Sequence, residues 1–355
     1  MARFFALSAV ATAAMFAGAA HAATAPLKAQ QVFEQFNVVA LGNVVTNNHV
    51  DGRTFVVGSV QGQNAVFGMH PQDMPKSDYA ALTVMGQGVK AGQAAVNNVQ
   101  VTDYGAVVFG DITNSGINNG ASAIYGKSVN TSFNGGSTVY ASGGFTGGNV
   151  AKKLDAVAAG SLQAVNTAAA QSTDFGTVLG DLSKSMSQYH STGSEVKIEG
   201  GKATFIAGVQ NGVAVFNLTD LENKALFNNG AVGEFDFKLN GATSVYINSS
   251  ISSAVINDNF LGGSAIWAGK SLIWNFYNAT DLTVNAQFGG NILAVNANLV
   301  QNQNIEGGVF VKNLDSRAEI HLNPFIGAVP EPETYAMMIA GLGLMGFMAR
   351  RRKKA

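Results

Sequence analysis

The chain has 355 residues, of which only 12% are charged, 42 are glycine and none is cysteine. Disulfides, thiol catalysis and cysteine metal sites are therefore excluded, and the wealth of Gly, Asn, Ser and Thr points to short strands and many turns rather than to a helical enzyme. With Arg3, Glu331, Glu333 and the five cations at 350–354 set aside, fifteen cations face twenty anions, a net of about −5 that makes nucleic acid a poor partner.

In chain order, Arg3 precedes a run of apolar and small residues at 4–18, broken only by Ser8 and Thr12, and then Ala20, His21 and Ala22. That order predicts an export signal over residues 1–22, removed by signal peptidase so that the mature chain begins near Ala23.

From Phe36 onward, strand-length apolar runs end in glycine: 38–41 before Gly42, 55–57 before Gly58, 82–85 before Gly86 and 106–109 before Gly110. The glycines are 16, 28 and 24 residues apart, so the repeat is irregular. Runs rich in β-branched residues and bounded by Asn, Gly and Ser predict a chain that turns a corner every few residues. A β-solenoid of stacked rungs is the predicted architecture, with a β-sandwich second. A second β-rich stretch follows in 234–239, where alternation places Phe235, Phe237 and Leu239 on one face, and continues at 244–248, 265–267, 272–276, 282–285, 292–295 and 309–311. Asparagine recurs at the strand ends, where it tolerates left-handed corners and can hydrogen-bond along a stack. Residues 121–128 and 264–272 share a Ser-Ala-Ile-aromatic then Gly-Lys-Ser order, which predicts comparable rungs in the two halves.

Between the β stretches, at about 149–192, the period changes. Leu154, Val157 and Val165, then Leu179, Leu182, Met186 and Tyr189, predict two amphipathic helices against the flank of the solenoid.

Chemistry is sparse. Past the signal, histidine occurs only at 49, 70, 190 and 321, without the spacing of a metal motif, so no metal and no cofactor are predicted. His49, Asp51 and Arg53 form the most interesting cluster, although Asp51-Gly52 is also a favoured tight-turn pair and a structural role is expected. Gly120 with Gly126-Lys127-Ser128, and Gly263 with Gly269-Lys270-Ser271, miss phosphate-loop spacing by one residue. No nucleophile elbow is present and no catalytic residue is predicted. Asp103, Asp111, Asp220 and Glu222 could supply a glycosidase dyad or a calcium site, but turn and cap roles are expected of them. Trp267, Trp274 and Tyr277, near Phe276, could form a carbohydrate platform; strand alternation instead favours Trp267 or Trp274 as a core residue.

At the end, Val329, Pro330, Glu331, Pro332 and Glu333 lead into an uncharged stretch, 334–349, and then Arg350, Arg351, Arg352, Lys353 and Lys354. A membrane helix over 334–349 would rise about 24 Å against roughly 30 Å of hydrocarbon, a marginal span whose basic end stays cytoplasmic. Gly341, Gly343 and Gly346 have dinucleotide-fingerprint spacing without its βαβ context, and fit close helix contact instead.

This tail, residues 329–355, resembles a PEP-CTERM sorting signal, the class processed by exosortase in Gram-negative bacteria. The resemblance implies recognition at Pro330, Glu331 and Pro332 and removal of the helix with Arg350, Arg351 and Arg352, so that the inner membrane is a transient partner. The body, over most of 31–326, resembles the choice-of-anchor A domain, in residues 36–42, His49-Val50-Asp51-Gly52-Arg53, 56–58, 272–276, Gly290 to Ala294 and 305–308; Val295 stands where that family often has proline. It implies an extracellular domain similar to right-handed β-helix adhesins and ice-binding domains, with no catalytic residues to assign. The expectation for residues 23–328 is a non-enzymatic protein at the cell surface or in the extracellular matrix, an adhesin or exopolysaccharide and biofilm component. Its partners would be exosortase and signal peptidase during export, and exopolysaccharide or another surface component thereafter. The rivals are a polysaccharide-active enzyme on the same scaffold and an ice-binding adhesin, the latter calling for ranks of Thr-x-Thr that the sequence lacks.

Overall fold

The four glycine-terminated runs stack on one another. Val38–Ala40 pairs with Thr54–Val56, this with Leu82–Val84, and this with Ala106–Val108, all parallel, with register steps of 16, 28 and 24 residues. The steps equal the spacing of the glycines, so the irregular lengths are excursions at the corners of a regular coil. The glycines mark corners that have no room for a side chain: a Cβ at Gly42 or Gly58 would collide with the Oδ1 of Asn313 or Asn43.

The computed structural model describes residues 25–228 and 230–329. The predicted export signal at 1–22, the tail residues Pro330, Glu331, Pro332, Arg350, Arg351 and Arg352, and the helix at 334–349 lie outside the described residues. Among the described residues no helix is long and apolar enough to cross a membrane.

The stack is a β-helix-like coil with three faces. On the first, Ala106–Val108 is followed by Ala121–Ile124, Thr138–Ala141 and Lys153–Leu154. Below Val38–Ala40, this face continues through Val309–Ser316, Asn291–Gln301, Leu272–Phe276, Ser244–Ser249 and Val213–Asn217. The first strand of the chain thus lies in the middle of the stack. The chain coils away from it as far as residue 154, crosses back along the flank, and coils from residue 213 until its last rung meets its first.

Among the described residues five α-helices accompany the coil: α1 (Ala29–Gln35), α2 (Leu162–Ser172), α3 (Phe175–Met186), α4 (Asp220–Phe227) and α5 (Ser264–Ser271). On the first face Val38, Ala40, Val56, Val84 and Val108 point inward, while Val39, Phe55, Ile273, Leu293 and Phe310 point outward against Val32 and Phe33 of α1 and Phe175, Leu179 and Leu182 of α3. Strands buried on both sides read as continuous apolar runs, which is why this face was visible in sequence. Each fully buried Leu or Phe here contributes about 1.5–3 kcal/mol. The side chains of Ser161 and Asp174 cap α2 and α3 at the N-termini, accepting from the backbone of Ala164 and Thr177.

Two predicted elements need correction. The flanking helices start at Leu162, and Leu154 belongs to a strand paired with Tyr140 rather than to a helix. Residues 265–267 lie in α5 and not in a strand, so 121–128 and 264–272 are not comparable rungs. Ser122-Ala123-Ile124 lies in a strand bordered on both sides by others, with Tyr125 just past its end, whereas Ser264-Ala265-Ile266-Trp267 fills a corner as a helix, with Ala265, Ala268 and Gly269 buried. Tertiary surroundings override the shared local preference. At the far end a four-stranded sheet places Glu195–Glu199 antiparallel to Lys202–Ile206, followed by Glu234–Lys238 and Asn259–Phe260. Exposed Glu195, Lys197 and Glu199 blunt the outer strand against further pairing.

Candidate functional site

The second face is open to solvent. It stacks Ser253–Ile256, Asp281–Val284, the second halves of Asn291–Gln301 and Val309–Ser316, Val44–Thr46, and then the strands at 60–61, 96–97, 112–113, 128–129 and 145–146. Alternate residues such as Leu282, Leu299, Leu314, Val44 and Ile112 fill the core. The outward side chains form ranks at the strand spacing, about 4.8 Å.

Hydrogen-bonded amides border these ranks. On one edge Asn313 donates to Asn298 at 2.8 Å, and the backbone N–H groups of Asn43 and Ser59 donate to the Oδ1 atoms of Asn313 and Asn43 at 2.7 and 2.9 Å. On the other, Asn302 donates to Asn285 at 2.8 Å and Asn285 to Asn257 at 2.9 Å. In the upper rungs Thr113 donates to Asn97 at 2.8 Å and Asn97 to Gln61 at 3.3 Å. Left-handed corners fall on Asn114, Asn119 and Asn130, as the recurring asparagines predicted. Beside Gln61, Asn97 and Thr113 the excursion at 88–94 walls a recess of about 530 Å³ that includes Lys90. The central rank sets Thr283 between Val255 and Val300 and Thr113 between Asn97 and Val129, so threonines do not form a continuous rank.

The predicted aromatic platform does not assemble. Trp274 is fully buried, stacked on Phe235 and Phe276, and its indole N–H donates to the Gly289 carbonyl at 2.9 Å. Leu272, Trp274 and Phe276 all point inward because alternate residues of a strand share a side. Trp267 is half-buried on α5, edge-on to Phe237, and Tyr277 is half-buried beyond the other end of Leu272–Phe276, where it lines a cavity with Ser183 and Lys184. Between Ile273 and Phe276 the outward Asn275 serves the helix instead. It donates to Asn248 at 2.9 Å and to the Ser183 carbonyl at 2.9 Å, and accepts from the Ser183 hydroxyl at 2.6 Å, while Asn248 donates to the Met186 carbonyl at 2.7 Å.

The scattered carboxylates take local roles. Asp111 accepts from the Lys127 backbone at 2.7 Å, Asp103 from Tyr104, and Glu222 completes a capping box with Thr219 at the start of α4, whose first turn holds Asp220. A cavity of about 640 Å³ between α1 and residues 74–79 holds Arg53 with Lys76 and Asp78. Arg53 therefore parts from His49 and Asp51. It is buried, its pKa lowered to about 10 by loss of solvent, and it donates to the carbonyls of Tyr79, Gln35 and Pro75 at 3.0, 3.3 and 3.1 Å.

On the third face the last rungs meet the first. Ile305–Glu306 pairs with Ile320–His321, which meets His49–Val50 through Val50 and Ile320. This register sets Glu306, His321 and Asp51 in one outward rank and Glu319 and His49 in the next. Glu306 Oε1 lies 2.8 Å from His321 Nδ1, and Glu319 Oε2 lies 2.8 Å from His321 Nε2 and 3.5 Å from His49 Nε2. Asp51 Oδ1 lies 3.7 Å from His49 Nε2 and 3.6 Å from His70 Nε2. Glu306 raises the His321 pKa to about 9, with Glu319 adding to it against the effect of burial. Burial pushes Glu306 up, yet hydrogen bonds from His321, Gln287 and Asn323 bring it below the usual carboxylate range, and His321 does the same for Glu319. No sequence motif announces this cluster, because its members are 270 residues apart; the available signal was two ionisable pairs at i, i+2, His49-x-Asp51 and Glu319-x-His321, on short strands.

The family model of the ice-binding-like adhesive domain matches residues 29–322, and that of the PEP-CTERM protein-sorting motif matches residues 328–353. No curated protein and no solved structure matches the chain.

Proposed function

The chain belongs to the ice-binding-like adhesive domain family and ends in a PEP-CTERM sorting motif, an exported, surface-associated protein, and from this premise we propose that it is a non-enzymatic adhesin whose open face binds surface polysaccharide. The observation that carries this reading is the open face itself, with its amide ladders and the recess at Gln61, Asn97 and Lys90. A polysaccharide repeats its hydroxyls along a chain, and fixed amides repeating at about 4.8 Å meet such a ligand with little ordering cost. The ladders are held by the rungs beneath them, so the surface is preorganised. The interleaving of valine and asparagine between threonines favours glycan over ice.

Export places this face outside the cell. Exosortase recognises Pro330, Glu331 and Pro332 and removes the tail, which leaves the adhesin in the extracellular matrix of a biofilm. The body is hydrogen-bonded up to that junction: the Ser244 hydroxyl accepts the Ala328 backbone N–H at 2.9 Å, and Tyr246 donates to the Ala328 carbonyl. A glycan binding screen with the secreted protein, run beside a deletion strain scored for cell aggregation, tests the reading. Saturable glycan binding and loss of aggregation are expected. Thermal hysteresis without glycan binding would assign the face to ice, and release of reducing ends from the glycan would assign it to an enzyme.

A further inference from the structure

We propose that His49, Glu319 and His321, completed by Asp51, bind one divalent transition-metal ion of the zinc class, which fastens the last rung of the coil to the first. The ligand atoms of His49, Glu319 and His321 lie within 4.8 Å of one another. A tetrahedral ion with ligands at about 2.0–2.1 Å holds neighbouring ligands roughly 3.3–3.4 Å apart. The separations of 3.5 Å from Glu319 to His49 and 3.7 Å from Asp51 to His49 are close to that edge, and the 2.8 Å between Glu319 and His321 opens to it with a small side-chain rotation.

A second observation points to a cation. Asp51 has 8% of its side chain accessible, and its Oδ1 is buried without a hydrogen-bond partner while it faces His49 and His70. A buried carboxylate oxygen without a hydrogen bond is costly unless a cation meets it. Around it stand three carboxylates, Asp51, Glu306 and Glu319, and among the described residues their ion-pair partners are imidazoles alone. Imidazole with carboxylate suits zinc and its neighbours, whereas calcium and magnesium take oxygen donors throughout.

The surroundings are also those of a metal ligand set. Glu306 accepts from His321 Nδ1 and is itself fixed by Gln287 at 2.9 Å and Asn323 at 3.1 Å, which turns Nε2 of His321 toward Glu319. A carboxylate behind the imidazole sets the tautomer and raises its basicity. The position has a mechanical use. On the third face the seam is paired only through Val50 and Ile320, against three residue pairs on each of the other faces, so an ion bridging residues 49 and 319–321 joins the two halves where the sheet is narrowest.

The test is titration of the full chain, free of any histidine tag, with zinc chloride by calorimetry, beside thermal unfolding. Zinc is expected to bind at one equivalent and to raise the melting temperature, with calcium chloride giving neither effect. H321Q and H49Q should each weaken binding by about 100-fold, and E306Q by about 10-fold. Zinc absorption spectroscopy on the unsubstituted protein, which needs no variant to fold, should show two imidazoles with oxygen ligands. Absence of saturable zinc binding, binding of equal strength in H49Q and H321Q, or a zinc spectrum without imidazole would each overturn the proposal.

Discussion

The covered face and the open face are built on the same rungs, yet they divide the work of the molecule. On the covered face the outward side chains are Val39, Phe55, Ile273, Leu293 and Phe310, sealed under α1 and α3. On the open face the outward positions carry Asn298, Asn313, Thr283, Gln61 and Asn97, and only the inward ones are apolar. Stability is therefore concentrated where strands are apolar on both sides, and recognition where half of each strand is released from packing.

Substitutions can break that division. Phe310 is fully buried, with its ring centroid 4.1 Å from that of Phe33. Phe310→Ala should cost about 3–5 kcal/mol, measured as the fall in the denaturant midpoint at constant slope. A loss below about 1 kcal/mol would show that α1 does not clamp the face.

Acidity sharpens the comparison at the corner beyond Ser253–Ile256. Asp258 is buried, its Oδ1 has no hydrogen-bond partner, and loss of solvent raises its pKa to about 7. Because the folded state favours the protonated acid, this group's contribution is fully present below the unfolded pKa near 3.8 and is lost as pH rises through about 7. Stability should fall by up to about 4 kcal/mol between pH 4 and pH 8 on its account. Asp258→Asn should remove that slope, read from unfolding curves at the two pH values; an unchanged slope would locate the dependence elsewhere.

Asn275→Ala removes the amide that ties α3 to the covered face at Ser183 and should cost about 1–3 kcal/mol by the same measurement. At the small end, Val45→Ala on the open face, where Val45 is 45% exposed, should change stability by less than about 0.5 kcal/mol. A larger loss would mean that the open face also carries load.

The same division explains how much was legible in sequence. The four glycine-terminated strands of the covered face were legible because two-sided burial produces unbroken apolar runs, each stopped by a glycine at a corner without room for a side chain, whereas Lys153–Leu154 on the same face was not. The open and third faces use strands as short as two residues, such as Ile112–Thr113 and His49–Val50, too brief for alternation to register. The asparagine ladders were foreseen as a type but not in their partners. The seam was invisible, because pairing of Val38 with Val309 follows from the chain's return along the flank and leaves no local pattern. His49 and Asp51 were singled out, yet Arg53, two residues on, points to the opposite side of the rung and belongs to another environment. Of the two tryptophans that alternation offers to the core, Trp274 fills it, since its strand sends residues 272, 274 and 276 inward together.

Recognition by the open face is tested most directly by measuring polysaccharide binding of two double variants side by side. One replaces Gln61 and Asn97 on the open face with alanine; the other replaces Gln100 and Ser132 on the third face. The expected result is a loss of about tenfold or more for the first, roughly 1.4 kcal/mol, with the second unchanged and both still folded. Equal losses from the two, or unaltered binding by the open-face variant, would contradict it.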